Sequence, residues 1–140
     1  DQLRKIGINV TFNKMERAAY LEDVGGKRDF VVSLRMINAT VRDADSVLTR
    51  RFHSSMLGGG NNYSGYSNPE VDALIEKARV ESDQDERLET YRQIYEILKE
   101  DVPLIPLYSD RVLIFYNAKI KEFYPHPVYR YNVSKMYFED

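Results

Sequence analysis

Ile8, Val10 and Phe12 alternate with Asn9, Thr11 and Asn13, and a period of two predicts a strand with one buried face. From Glu16 to Val24, the residues Ala18, Ala19, Leu21 and Val24 fall at helical spacing, and Gly25-Gly26 predicts the stop. Residues 29–37 are more continuously apolar and predict a second strand. Strand, helix, strand in that order favours an α/β layered fold. A polar, irregular stretch from Asn38 to Asp45 leads to a short helix over 46–52, and a glycine-rich loop follows it.

The next helix is well signalled. Ser67 or Asn68 serves as cap, Pro69 suits the first turn, and Val71, Leu74, Ile75 and Ala78 form one apolar stripe. Ser82 or Asp83 starts another helix, with Asp83 and Glu86 in a capping-box pattern. Its expected buried stripe is Leu88, Tyr91, Ile94, Tyr95 and Leu98, and Pro103 ends it. Residues 104–108 predict a short edge strand, residues 111–116 a clear strand, and residues 132–138 a last one after an extended aromatic, proline-containing tail.

The chain has 140 residues, enough for one core, and its 43% hydrophobic content predicts folding. A net charge of -2 with scattered basic residues argues against a nucleic-acid partner. No cysteine is present, so disulfides, thiolate zinc sites and thiol catalysis are excluded. No apolar run is long enough for a membrane-spanning helix, and no signal peptide is visible. Asp1 to Gly7 reads as the last turn of a helix ending at a glycine cap. The expectation is therefore a segment of a longer protein, with any export signal outside this chain.

The candidate chemistry is sparse. His53 and His126 are the two histidines, and neither has a nucleophile at suggestive spacing. Asp43 and Asp45 follow the second predicted strand, where ligands sit in open α/β sheets. They are equally the residues of an ordinary turn. Gly58-Gly59-Gly60 lacks the lysine and the spacing of a phosphate loop. Asn61, Asn62 and Tyr63 either donate to a ligand or hold that loop together. The acidic residues of the helices (Glu76, Glu81, Glu86, Glu89 and Glu96) are spaced as solvated surface, so no metal site and no cofactor are expected.

Four motifs occur in a set order: Asp43-Ala44-Asp45-Ser46-Val47-Leu48, Phe52-His53-Ser54-Ser55, Tyr66-Ser67-Asn68-Pro69-Glu70-Val71-Asp72, and Asp101-Val102-Pro103-Leu104-Ile105-Pro106-Leu107-Tyr108. Their order and spacing resemble the C-terminal region of the family 5 extracellular solute-binding proteins, the dipeptide-, oligopeptide- and nickel-binding receptors of ABC importers. The resemblance implies an α/β fold, a mixed sheet with flanking helices, within the C-terminal lobe of a two-lobed, class II periplasmic-binding-protein-like architecture. Residues 1–108 correspond to part of that lobe, and residues 109–140 to a strand and extended tail returning toward the other lobe.

The resemblance further implies a binding component, not an enzyme. It would be periplasmic or cell-surface and would deliver a ligand to an ABC permease, meeting the membrane only through the transporter or a lipid anchor outside this chain. Peptide-binding members place an acidic residue after the second strand to hold the peptide's amino group. Here a gap-free reading puts Thr40 at that position and Ile37 where tryptophan is common. A hydroxyl cannot supply the charge-assisted bond an ammonium favours, so peptide and oligosaccharide remain equal candidates. The expected ligand-facing residues are Ile37, Asn38, Thr40, Asp43 and Asn62. The alternatives are a small hydrolase using Asp43 and Asp45, and an interaction module whose tyrosine- and proline-rich tail docks on a partner.

Overall fold

The computed structural model describes residues 2–37, 41, 43–58, 60–109, 111, 113–125 and 133–139. A 3-10 turn, Leu3–Ile6, opens the chain and is closed by Gly7 in the left-handed conformation, as the sequence predicts. Helix α1, Arg17–Tyr20, continues into a wider π-helical turn over Leu21–Lys27. The glycine pair therefore does not end this helix. The turn runs through both glycines to Lys27, and Arg28 (φ 55°) makes the left-handed exit.

Helices α2 (Ala44–Phe52), α3 (Pro69–Val80) and α4 (Gln84–Asp101) build the main packed unit. Each starts on a side chain that accepts backbone N–H groups: Asp43 for α2, Asn68 for α3 and Asp83 for α4. These bonds satisfy donors that a helix start leaves orphaned. Asp83 takes the amides of Asp85 and Glu86, while its own N–H goes to Glu81 Oε1 at 2.9 Å. The second half of the expected capping box is thus supplied by Glu81 from before the helix, where Glu86 was expected.

Val71, Ile75 and Ala78 of α3 are fully buried, as the periodicity predicts, and with Ile94 of α4 and Phe52 of α2 they form the core. On α4 the expected stripe holds at Tyr91, Ile94 and Leu98 and fails at Leu88 and Tyr95. Thr90 and Ile94 are buried, and Tyr91, Ile97 and Leu98 pack partly against the core, while Leu88 and Tyr95 lie outward. Residues 90, 94 and 97 fall on the line facing α3, whereas 88 and 95 sit on a neighbouring line that no described element covers.

The strands expected at 8–13, 29–37 and 111–116 and the short edge strand expected at 104–108 form no ladder among the described residues. A strand needs a neighbour to take its N–H and C=O groups, and none is present for these segments among the described residues. Among the described residues one sheet pairs β1, Ile120–Lys121, with β2, Tyr137–Phe138, antiparallel, so only part of the strand expected at 132–138 is seen there. The result is a mixed fold of helices with a small antiparallel sheet. No helix among the described residues is long and apolar enough to cross a membrane.

Candidate functional site

The four motifs meet one another across the helical unit. Asp43 caps α2 by accepting the Asp45 amide at 2.9 Å, and both its carboxylate oxygens receive Arg87 Nη2 of α4, at 2.9 and 3.0 Å. Tyr91 donates to the same carboxylate at 3.4 Å. The backbone bond first, and then Arg87, hold the Asp43 carboxyl below its ordinary value. Asp45 accepts from Arg79 of α3 and from Thr49. The two aspartates are therefore tied to different helices by separate arginines. A carboxylate dyad for acid–base work needs one partner held protonated, and Asp43 is pushed the opposite way.

His53 ends α2 and is buried. Its Nδ1 accepts the Ser55 amide at 3.1 Å, which leaves Nε2 as the donor, 3.4 Å from Glu76 Oε1. Ser54 bonds Asp72 of α3 through both its amide and its hydroxyl. Ser54 and His53 thus both serve the α2–α3 junction, and the serine hydroxyl points to a carboxylate, not to the imidazole. His126 lies outside the described residues.

The glycine-rich loop is held from inside. Asn62 is only 3% exposed. Its amide group donates to the carbonyl oxygens of His53 (3.2 Å) and Tyr66 (2.7 Å), and its Oδ1 accepts from Ser64 at 3.2 Å. Tyr66 stands edge-on to Phe52, and its hydroxyl donates to Asp101 Oδ2 at 2.5 Å. Asn68 donates to that same oxygen at 3.1 Å. Burial first, and then Asp101, push the Tyr66 phenol up to about 12, while the Tyr66 and Asn68 bonds hold Asp101 below its ordinary value. The tyrosine of one motif and the aspartate of another, thirty-five positions apart, thus clamp the start of α3 to the end of α4.

Of the expected ligand-facing residues, Asp43 and Asn62 therefore sit within internal networks, and Ile37 is exposed. Asn38 and Thr40 lie outside the described residues. Sequence reasoning passed over Arg87 and Arg79. Their partners come from other elements, so no local spacing marks them.

No protein-family model matches the sequence. Individual relatives do. The probable D,D-dipeptide-binding periplasmic protein DdpA of Escherichia coli is 28% identical over 136 residues, 96% of this chain and 26% of that protein. The oligopeptide-binding protein AppA of Bacillus subtilis is 31% identical over 138 residues, 96% of this chain and 25% of that protein. Over nearly its whole length this chain is similar to dipeptide- and oligopeptide-binding proteins of the family 5 extracellular solute-binding kind. The probable deoxycholate-binding periplasmic protein YgiS of Escherichia coli is 30% identical over 130 residues, 93% of this chain and 23% of that protein. The chain spans about a quarter of the length of these relatives. The interlocked motifs described above form the packing skeleton of the helical unit.

Proposed function

We propose that the chain is part of the C-terminal lobe of a two-lobed binding protein that captures a peptide outside the cytoplasmic membrane and hands it to an ABC permease. The observation that carries this reading is the similarity along 96% of the chain to relatives named for dipeptide and oligopeptide binding. Residues 1–108 would form the lobe segment and residues 109–140 the return toward the other lobe. The protein would work at the periplasm or cell surface.

In this reading Ile37, Asn38 and Thr40 face the ligand. Asp43 and Asn62 act at one remove: Asp43 is paired with Arg87, and Asn62 holds the glycine-rich loop from inside. An oligosaccharide is the second reading, because Thr40 is neutral and the nearby Asp43 carboxylate is already paired with arginine.

A thermal-shift screen tests both. Dipeptides, short oligosaccharides and deoxycholate would be added to the protein containing this segment. A ligand at about 100 times its dissociation constant adds roughly 2.7 kcal/mol of stability. Stabilisation by peptides alone is expected, and stabilisation by sugars alone would replace the peptide reading. Tight binding that survives Thr40→Ala combined with Asp43→Ala would overturn the site assignment.

A further inference from the structure

The segment around β1 carries a cavity that the proposed ligand site does not use. The chain reverses at Asn117, whose Oδ1 accepts the Lys119 amide at 3.0 Å and whose carbonyl accepts the Ile120 amide at 2.9 Å. Ile120 and Lys121 then pair with β2. Glu122 turns the chain again, in the left-handed conformation at φ 56°. Beyond these turns the Phe123 ring lies 4.6 Å from the Tyr116 ring, centroid to centroid, with 56° between their planes. Tyr116, Ile120, Lys121, Glu122, Phe123 and Tyr124 line most of a cavity of about 430 Å³, large enough for a small organic molecule. Tyr116 and Tyr124 are exposed, so the cavity opens to solvent.

The lining is largely aromatic, and its uncompensated charge is negative. Aromatic rings carry partial negative charge on their faces and attract cations there. Two charged side chains join the rings. The Lys121 ammonium is taken by Glu139 Oε2, at 2.7 Å. Glu122 forms no ion pair among the described residues, so its negative charge is the one left over. Its carboxylate meets the Tyr124 phenol and, by the hydrogen bond first and its charge second, holds that phenol above its ordinary value. The backbone points the same way. A glutamate in the left-handed region is strained, and strained residues persist where their surroundings hold them, often at ligand sites. Here the strand pair holds one side of the turn and the ring pair the other.

We propose that this cavity binds a small alkylammonium cation, with Glu122 as its counter-ion and the rings of Tyr116, Phe123 and Tyr124 as its walls. An alkylated ammonium presents methyl groups around its charge, so it suits aromatic walls better than a compact, strongly hydrated ion does. A neutral ligand would leave the Glu122 carboxylate unused, and an anion would be repelled by it. The site shares no residue with those expected to face a peptide or a sugar.

The test uses choline as probe, with its uncharged analogue, in which a quaternary carbon replaces the nitrogen, as control. Each is titrated into the full chain while the ring signals of Tyr116, Phe123 and Tyr124 are followed by NMR. Choline should move all three saturably and the analogue should not. Glu122→Gln should weaken choline binding at least about tenfold, because it removes the counter-ion and keeps the shape. Glu122→Gly removes the carboxylate and relieves the turn, so it should fold at least as well as the parent and bind as weakly as Glu122→Gln. Unchanged backbone signals elsewhere in the chain check that neither variant has unfolded. Ring signals that fail to saturate with choline, or that move equally with the analogue, would overturn the site. Undiminished binding in both variants would overturn the role of the carboxylate. Choline carries neither a peptide bond nor a sugar ring, so its failure leaves the peptide reading standing, and a failed peptide screen leaves this site standing.

Discussion

At the scale of single residues, the polar side chains that matter most are those joining distant segments. Asn62 is the clearest case, because one buried amide satisfies two backbone carbonyls and a hydroxyl. Asn62→Ala should leave the carbonyls of His53 and Tyr66 without that donor and lower stability by about 1–3 kcal/mol. Urea unfolding would show it as a lower midpoint with unchanged slope, and an unchanged midpoint would mean the loop does not depend on this residue. Asp43 sets the acid limit. Its folded carboxyl is held below the ordinary value, so its contribution is complete above the unfolded pKa of about 3.9 and is lost as pH falls through the lower folded value. Asn caps a helix about as well as Asp, so Asp43→Asn removes the charge and keeps the cap. Thermal melts from about pH 6 downward should therefore show a shallower loss of stability below about pH 4 in this variant than in the parent. Parallel curves would assign the acid sensitivity to other groups, of which Asp101 is the next candidate.

At the scale of elements, α4 ends on an unfavourable residue. Val102 takes the left-handed conformation, φ 47° and ψ 51°, at the position glycine usually occupies. A β-branched residue there costs about 1–2 kcal/mol, partly offset in a glycine by about 0.5–1 kcal/mol of extra chain entropy. Val102 is more than half exposed, so little packing is lost on its removal. Val102→Gly should raise stability by up to about 1 kcal/mol, read as a higher melting temperature. A lower melting temperature would show that the Val102 side chain contributes packing that outweighs its strain. The placement of the strain is informative, since the Asp101 carboxylate directly before it must reach Tyr66 and Asn68.

At the scale of the whole molecule, the apolar surface is large and its distribution is uneven. Val31, Val32 and Phe115 are between 87 and 98% exposed, and Leu113 and Ile105 are more than 70% exposed. These residues belong to segments predicted as strands, and they stand exposed. Such surfaces pair with other chains when nothing else covers them. The 140-residue chain by itself should therefore self-associate, with a sedimentation coefficient that rises with concentration. A single monomeric value across the range would mean that these segments find cover within the chain. In the proposed two-lobed protein they would pair with the rest of the polypeptide.

What the sequence alone determined is mostly local. The caps at Asn68 and Asp83, the apolar stripe of α3, the turn ending at Gly7 and the order of the four motifs were legible, because each depends on residues within a few positions of one another. The family was legible for the same reason. Only the tertiary structure decided which line of α4 is buried, since that depends on where α3 lies. It also decided that Asp43 belongs to Arg87 and Tyr66 to Asp101, because a side chain forty positions away leaves no periodic trace. The strands mark the limit from the other side. Alternation along 8–13 and the apolar run along 29–37 record a preference for a pleated, covered environment, but a ladder forms only when a second strand is there to share its hydrogen bonds.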